Sequence, residues 1–242
     1  MKNTDCILIA DCHIRSHSDR ESDFFAMLEQ IEKNPPGSVI FLGDIFELWI
    51  ALDGYESFGH LHFIDWCRRN RTRFEIGFIE GNHEFYIREK YQDAFSWTSN
   101  RGYCKTENLH FIHGDLINRA DRNYLLLRCL IRNPFTRFLL KLFACSIGPH
   151  CSDLVRRKLK NTNLEYKRQL PVRAIEEYSC QPDLSAGSLI FAGHFHEWHR
   201  FQYDNGSVTM ILPAWENKSE IVVYHQDKTV SVAPWKDLYP TA

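Results

Sequence analysis

Five short apolar runs in this sequence each end in polar side chains of the kinds that bind metal ions. In chain order, these ends carry Asp11-Cys12-His13, Gly43-Asp44, Gly81-Asn82-His83, His113-Gly114-Asp115 and Gly193-His194-Phe195-His196. Because residues i and i+2 of an extended segment point the same way, an Asp-x-His or His-x-His pair can face one ion. Carboxylate, imidazole and carboxamide donors, with no thiolate, suit divalent ions such as Mn²⁺, Fe²⁺ or Zn²⁺.

The motifs offer more donors than one ion takes, whereas two ions that share a carboxylate would use them all. Asp44 is the natural bridge between the two ions. Asp11 and Asp44 together carry less charge than two divalent ions, so the site stays positive and favours a phosphate or pyrophosphate ester. Two such ions can neutralise both the attacking and the leaving oxygen of an in-line displacement. One Asp-x-His pair is a weak signal, but five such ends in this order predict a dinuclear hydrolase.

The runs that position these residues alternate with helical patterns, as in an α/β domain. Five runs are typical of strands buried on both faces, namely Cys6–Ala10, Ser38–Leu42, Phe74–Ile79, Leu109–Ile112 and Ser188–Ala192. Helices are predicted over Glu21–Lys33 and His60–Asn70. Ligands bind at the carboxyl ends of strands in such sheets, so we expect all five motifs at one rim. After Phe195, turn residues at Asp204-Asn205-Gly206 predict a hairpin and a change to antiparallel strands.

The formal net charge of −2 averages two unequal parts of the chain. Residues 119–173 contain 13 Lys/Arg and 3 Asp/Glu, while the rest contains 16 basic and 28 acidic residues. This basic segment is also rich in leucine, and it predicts helices over Asp121–Arg132, Phe135–Ile147 and Ser152–Lys160. We interpret it as a helical insertion that meets an anionic partner. The alternatives are a solvated basic face and leucines that only pack onto the core.

The sequence shows no secretory signal and no run of the ~20 apolar residues that a membrane span needs. Eight cysteines lie without CxxC spacing, and several, such as Cys6 and Cys129, are expected to be buried. These features predict a reduced, cytoplasmic protein. Because aliphatic rather than aromatic residues interleave the basic ones, we expect no nucleic-acid partner.

The ordered motifs resemble those of the calcineurin-like metallophosphoesterase superfamily over about residues 5–200. The resemblance implies a four-layer α/β/β/α sandwich with a dinuclear centre. It implies Asp11, His13, Asp44 and His196 as ligands of one metal, and Asp44, Asn82, His113 and His194 as ligands of the other. His83 takes the place of the catalytic histidine, which positions phosphate or protonates the leaving oxygen.

Further stretches resemble the UDP-2,3-diacylglucosamine pyrophosphatases of lipid A biosynthesis. These are Gly43-Asp44-Ile45-Phe46-Glu47-Leu48-Trp49 and the run from Asp121 through Tyr124 and Arg128 to Asn133-Pro134. In that family the insertion is a lid over acyl chains, the usual metal is Mn²⁺, and the enzyme works at the cytoplasmic face of the inner membrane. The resemblance therefore implies a single domain over 1–242 with a lid over about 119–173. It also implies substrate contacts from Asp121, Tyr124, Arg128, Lys160, Asn163 and Lys167, and peripheral contact with an anionic membrane.

One position departs from that family, since His83-Glu84 stands where Arg-Asp is common. The departure keeps phosphoester hydrolysis and leaves the exact substrate open. The first alternative is therefore a phosphodiesterase or phosphatase of soluble nucleotides. The second is a binding module that has lost catalysis, which predicts missing ligands, and the motifs lack none.

Overall fold

Strands and helices alternate in the computed structural model, which describes residues 5–119, 122–142 and 170–239. In chain order the elements are β1 (Cys6–Ile9), α1 (Asp19–Lys33), β2 (Ser38–Phe41), β3 (Trp49–Ile50), α2 (Phe58–Asn70), β4 (Glu75–Ile79), β5 (Glu84–Phe85), α3 (Ile87–Tyr91), β6 (Trp97–Ser99), β7 (Tyr103–Thr106), β8 (Leu109–Ile112), α4 (Arg122–Ile131), α5 (Pro134–Leu142), α6 (Val172–Ser179), β9 (Leu189–Ala192), β10 (His199–Gln202), β11 (Val208–Ile211), α7 (Trp215–Lys218), β12 (Glu220–Tyr224), β13 (Val230–Pro234) and α8 (Trp235–Leu238). The predicted α/β class is therefore confirmed.

The five predicted strands are divided between two sheets. One sheet has the order β13-β12-β1-β2-β4-β6, and the other has the order β10-β11-β9-β8-β7. Strands β1, β2, β4 and β6 pair in parallel, as do β8 with β9 and β9 with β11. The hairpin predicted at Asp204-Asn205-Gly206 forms as β10–β11, and β12–β13 form a second antiparallel hairpin. The second of these hairpins joins the first sheet, because β12 pairs antiparallel with β1.

Three clusters of apolar side chains pack the layers of helices and sheets against one another. Alternate residues of β1, such as Ile7 and Leu8, belong to different clusters, because successive side chains of a strand point to opposite faces. The first cluster joins β1, β2 and β4 to α1 and α2, and the second lies between the two sheets. The third packs Ile175 of α6 against β8, β9 and β11. The described elements thus stack as helices, sheet, sheet and helix.

Local sequence signals explain where the helices begin. Ser18 precedes α1, and its side chain accepts a hydrogen bond from Glu21 N at 3.2 Å, which satisfies a free amide of the first turn. Ser57 and His60 form a reciprocal capping box at the start of α2. Asn133 caps α5 through Phe135 N at 2.8 Å, and Pro134 is the first helical residue.

The basic segment begins with two helices, α4 and α5, which we call the α4–α5 hairpin (residues 122–142). It buries only Tyr124 fully. The prediction of a buried Cys129 is wrong, because Tyr124 is the one side chain that α4 buries and Cys129 is exposed, whereas Cys6 is buried as expected. The predicted helix over Ser152–Lys160 and the end of the helix predicted over Phe135–Ile147 lie outside the described residues. Among the described helices, none is both long and apolar enough to cross a bilayer.

Candidate metal centre

The five motifs meet at one edge of the two-sheet core. The first three follow β1, β2 and β4 of one sheet, and the last two follow β8 and β9 of the other. Their ligand atoms form three groups, each within 4.8 Å: Asp11, His13 and His196; His13, Asp44 and His83; Asp44, His113 and His194. Asp44 and His13 each belong to two groups, so the donors form one continuous cluster. Two ions bound side by side would need this arrangement.

Asp44 lies at the centre of the cluster. Its Oδ2 atom is 3.5 Å from His113 Nε2, 3.8 Å from His13 Nε2 and 3.9 Å from His83 Nε2. Its other oxygen, Oδ1, accepts a hydrogen bond from the backbone N–H of His83 at 2.9 Å. The carboxylate is therefore fixed on one side by the backbone while the other oxygen faces three imidazoles.

The histidine rings are oriented by hydrogen bonds on the side away from the cluster. His113 Nδ1 donates to the carbonyl oxygen of Leu42 at 2.7 Å, and His83 Nδ1 donates to that of Glu47 at 2.6 Å. A carbonyl oxygen only accepts, so Nδ1 carries the hydrogen in both rings. Nε2 is thus the atom that each ring turns towards Asp44, which is the usual arrangement around metal-binding histidines.

Asn82 and His196 lie on opposite sides of the cluster. Asn82 Oδ1 is 3.1 Å from His113 Nε2. His196 Nε2 is 3.4 Å from both Asp11 Oδ1 and His13 Nε2, and its Nδ1 is 3.2 Å from Glu216 Oε1. All seven predicted ligands therefore lie together around the two aspartates, and their assignment to individual ions stays a prediction.

The backbone of the cluster is strained. Five of the seven predicted ligands have positive φ angles between 44° and 73°, namely Asp11, His13, Asp44, His194 and His196. For residues other than glycine, such conformations cost about 1–3 kcal/mol each and persist where the surroundings impose them. Hydrogen bonds from Asp11 N to Gly43 O and from His13 N to Asp44 O, both 3.0 Å, tie these segments together.

Two glycines permit this close approach. Gly43 has a φ of 89°, and a Cβ atom there would lie 2.6 Å from His113 Nδ1. A Cβ atom on Gly81 would lie 2.2 Å from Asp44 Oδ1 and 2.7 Å from the Asp44 backbone nitrogen. The two loops therefore reach their observed separation only because neither position carries a side chain.

Glu84 fixes the loop that carries Asp44 through hydrogen bonds to the backbone. Its carboxylate accepts hydrogen bonds from the backbone N–H groups of Asp44 (3.0 Å), Ile45 (2.8 Å) and Gly81 (2.9 Å). The side chain is fully buried, and burial together with the charge of Asp44 raises its pKa to about 8. Glu84 thus joins the loops after β2 and β4 rather than facing the cluster.

The protonation of Asp44, His13 and His194 suits cations. Burial raises the pKa of Asp44, but the neighbouring charges, those of His83 and His113 above all, outweigh burial and hold it well below its usual range. Burial lowers the pKa of His13 and of His194 to about 4, so both rings are neutral near pH 7. Burial also lowers the pKa of His113, yet the facing charge of Asp44 raises it overall to about 10. An ionised carboxylate and neutral imidazoles are the forms that bind metal ions, so Asp44, His13 and His194 are already in those forms, whereas His113 would have to release a proton when an ion binds.

The residues present fit two divalent ions. Asp11 Oδ1 is buried and faces His196 Nε2 at 3.4 Å, itself a predicted ligand, without a hydrogen bond to any residue that the structure describes. A buried carboxylate needs compensating charge or hydrogen bonds, since burial alone costs several kcal/mol. Cations would supply that compensation to Asp11 and Asp44, while Asn82 would contribute its Oδ1 atom.

The model of the calcineurin-like phosphoesterase family matches residues 6–198. This chain belongs to the calcineurin-like phosphoesterase family. Membership makes it a metal-dependent phosphoester hydrolase with a dinuclear site. The matched range contains all five motifs, and every ligand position in them is filled. The alternative of a binding module that has lost its ligands therefore has no support from the residues present.

Several curated relatives of this phosphoesterase share one name. The UDP-2,3-diacylglucosamine hydrolase of Wigglesworthia glossinidia brevipalpis is 24% identical over 241 residues, covering 96% of this chain and 95% of that protein. The protein of the same name from Psychromonas ingrahamii is 27% identical over 204 residues, covering 78% and 80%. The solved structure of the E. coli phosphoesterase Yfce covers 96% of this chain and 99% of that one at 11% identity, with a TM-score of 0.46.

The metal ions of a phosphoesterase, when bound, neutralise the oxygens of the ester and polarise its phosphorus for attack. The chain's own residues then have separate roles at the site. Asp44 holds both halves of the cluster together, and the N–H of His83 keeps its carboxylate oriented. His83 turns Nε2 towards Asp44, and its role in binding a phosphoryl oxygen or passing a proton to the leaving oxygen stays a prediction.

The predicted substrate contacts are only partly within the described residues. The Tyr124 hydroxyl and the Arg128 guanidinium both bind Asp115 Oδ2, the latter through Nε at 2.9 Å, so α4 attaches to the loop of His113. Their contact with substrate stays a prediction. Four other predicted contacts, Asp121, Lys160, Asn163 and Lys167, lie outside the described residues.

Glu216 was missed by sequence reasoning, although it contacts a predicted ligand directly. It lies in the four-residue helix α7, where it accepts from Arg20 Nη1 at 3.2 Å and faces His196 Nδ1. Its backbone N–H also donates to Asp11 O at 3.2 Å. No motif marks this glutamate, because its partners lie far away in sequence, and only an alignment of relatives could have singled it out.

Substituting Glu216 with glutamine is expected to weaken binding of one of the two ions by about 10–100-fold, as is typical when the partner of a metal-binding histidine is changed. The carboxylate holds the His196 ring, and the amide would leave it less basic and less fixed. Titration calorimetry with Mn²⁺ checks this, with Glu197→Gln as the control, since Glu197 is exposed and contacts His199. Equal Mn²⁺ affinities in the two variants would contradict the role of Glu216.

Proposed function

We propose that this protein hydrolyses the pyrophosphate bond of UDP-2,3-diacylglucosamine, giving UMP and 2,3-diacylglucosamine 1-phosphate for lipid A biosynthesis. The observation that carries the proposal is an exposed apolar hairpin attached directly to the metal centre. Relatives named UDP-2,3-diacylglucosamine hydrolase, which align with most of the chain, support the same substrate.

The α4–α5 hairpin exposes more apolar surface than a soluble helix pair needs. Five large side chains are each at least 55% exposed, namely Leu126, Leu130, Phe135, Phe138 and Leu142. Contiguous exposed apolar surface marks a binding site for a lipid, a membrane or another protein. Basic side chains accompany it, as in helices that lie in the anionic interface of a membrane. We infer that residues 119–173 form a lid on a single domain and that the protein works at the cytoplasmic face of the inner membrane.

A cavity separates the hairpin from the second sheet. Its volume is about 790 Å³, and its lining includes Gly114, Ile117, Leu125, Arg128 and Arg132. Ligand sites commonly enclose roughly 300–1,000 Å³ and combine apolar walls with a few polar groups. Gly114 follows His113, so the cavity reaches the loop of the metal centre. We propose that part of the lipid substrate occupies this cavity and that the resident ions are Mn²⁺.

The test is release of UMP from UDP-2,3-diacylglucosamine by the purified protein with Mn²⁺, with bis(p-nitrophenyl) phosphate as a second, soluble substrate. We expect both to be hydrolysed. Hydrolysis of the aryl ester without UMP release from the lipid would reject the lipid substrate and keep the phosphoesterase chemistry. Replacing Mn²⁺ with Fe²⁺ or Zn²⁺ in the same assay identifies the preferred ion.

A second candidate is hydrolysis of soluble nucleotides, which the His83-Glu84 pair favours. An arginine at position 83 would bring a permanent positive charge and several N–H donors to the substrate phosphates. His83 offers a single ring nitrogen instead. Such an enzyme would turn over soluble nucleotide phosphodiesters faster than the lipid. Competition between the lipid and a soluble nucleotide in one assay separates the two candidates.

Replacing Phe135 and Phe138 together with serine is expected to lower binding to vesicles of anionic phospholipid by about tenfold or more. Each phenylalanine contributes about 1.5–3 kcal/mol when fully buried in an apolar phase, and 1.4 kcal/mol is a factor of ten. A vesicle flotation assay measures this, and hydrolysis of the aryl ester should be unchanged. Phe58→Ser is the control, because Phe58 is 80% exposed but lies at the start of α2. Equal binding by all three proteins would contradict membrane contact by the hairpin.

A further inference from the structure

Arg132 reaches from the end of α4 to the loop that carries Asn82 and His83. Its Nη2 atom donates to the carbonyl oxygen of Gly81 at 3.1 Å and to that of Glu84 at 2.9 Å. These two residues flank Asn82-His83 on either side. One guanidinium group therefore holds the loop at both of its ends.

The same guanidinium is paired with a buried acid. Its Nη1 atom binds Glu80 Oε2, and the Glu80 side chain is completely buried. The other Glu80 oxygen accepts from the backbone N–H of Arg88 at 2.8 Å, and the guanidinium lies 5.6 Å from the centre of the Phe85 ring. Because a buried carboxylate without its partner is strongly destabilising, this pair fixes the position of the Arg132 side chain.

Helix α4 holds a second loop of the metal centre at its other end. Tyr124 and Arg128 bind Asp115, two residues beyond His113. The loop that Arg132 holds follows β4 of the first sheet, whereas the loop of Asp115 follows β8 of the second sheet. The helix therefore spans the junction of the two sheets at the point where their ligands meet.

We propose that Arg132 is a positioning residue that couples the α4–α5 hairpin to the metal centre. Its planar fork locks the Gly81–Glu84 loop in the conformation that presents Asn82 to the ions and His83 to the ester. The metal centre is therefore complete only when the α4–α5 hairpin is packed against the Gly81–Glu84 loop. This coupling deepens the proposed function but rests only on phosphoester hydrolysis at the site, so it does not depend on the lipid substrate.

The test compares Arg132→Lys with the wild-type protein on bis(p-nitrophenyl) phosphate in saturating Mn²⁺. Lysine keeps a positive charge beside Glu80, so the melting temperature should stay near that of the wild type. An ammonium group donates from one point and does not reproduce the fork, so kcat should fall about 10–100-fold while KM changes by less than about twofold. A purely structural ion pair would be rescued by lysine in both measurements.

A second variant distinguishes a loss of activity from a loss of folding. In the double variant Arg132→Gln with Glu80→Gln no buried charge is left unpaired, and kcat should fall as in Arg132→Lys while the protein stays folded. The control is Arg68→Gln, which removes the surface pair of Arg68 with Asp93 (2.9 Å) and should keep the wild-type kcat. A wild-type kcat in either Arg132 variant overturns the proposal. Aryl-ester hydrolysis without UMP release in the wild type rejects the lipid substrate alone and leaves this comparison valid.

Discussion

Substituting Asp44 with alanine is expected to abolish turnover, lowering kcat by at least about 10³-fold. Asp44 is the one carboxylate that belongs to two of the three donor groups, and its Oδ2 atom faces three imidazoles within 3.9 Å. Without it the two halves of the cluster lose their shared ligand. Stabilisation of transition-state charge by a bound ion amounts to several kcal/mol, and each 1.36 kcal/mol is tenfold in rate.

Metal content and kcat, measured together, check this prediction. After dialysis from saturating Mn²⁺, the wild type should retain about two equivalents and the Asp44→Ala protein fewer. Asp23→Asn is the control, because Asp23 is also hydrogen bonded and paired, with Ser219 at 2.9 Å and Lys236 at 2.7 Å, but lies away from the cluster. A wild type that holds less than one equivalent, together with an Asp44→Ala protein of unchanged activity, would overturn the enzymatic assignment of this site.

Substituting His83 with alanine should leave metal bound and lower kcat by about 10²–10⁴-fold, the usual contribution of a positioned acid or base. The ring is anchored through Nδ1 to Glu47 O and presents Nε2 at 3.9 Å from Asp44 Oδ2. Removing the ring would take away the group that is predicted to bind the phosphoryl oxygen or pass the proton. The backbone N–H that orients Asp44 is kept, so the ions should stay.

The His83 experiment needs the metal measurement as much as the rate. His83 also lies in a donor group with His13 and Asp44, so loss of one ion in His83→Ala would show that it acts as a ligand instead. His62→Ala is the matched control, since that ring stacks on Phe25 on the surface of α2. Unchanged kcat in His83→Ala, with both ions present, would remove His83 from the mechanism.

Much of the fold and of the metal cluster could be read from local patterns. Each strand that precedes a motif is a short run of apolar residues, and the motif follows directly in the sequence. The same short segment therefore indicates both the strand and the metal ligands at its end. The capping of α5 by Asn133 and the hairpin at Gly206 are equally local, because turn and cap geometry depends on neighbouring residues. For the elements whose ends fall within the described residues, predicted and observed ends differ by no more than two residues.

The contacts between distant segments could not be read in this way. The sequence does not show that β8 and β9 form a second sheet, because a buried strand has the same pattern in either sheet. Glu216 meets His196 and Arg132 meets Glu80 only once the chain has folded, and no motif in the sequence indicates either contact.

The sequence by itself determined the donor set, its order and the strand that carries each donor, and through them the chemistry of a dinuclear phosphoester hydrolase. Only the tertiary structure decided how the donors are held. Positive φ angles at five predicted ligands, the carboxylate of Glu84 under the Asp44 loop and the guanidinium of Arg132 across the His83 loop all depend on packing between segments far apart in the chain. Such packing is set by the whole fold, since no single segment contains both partners of any of these contacts.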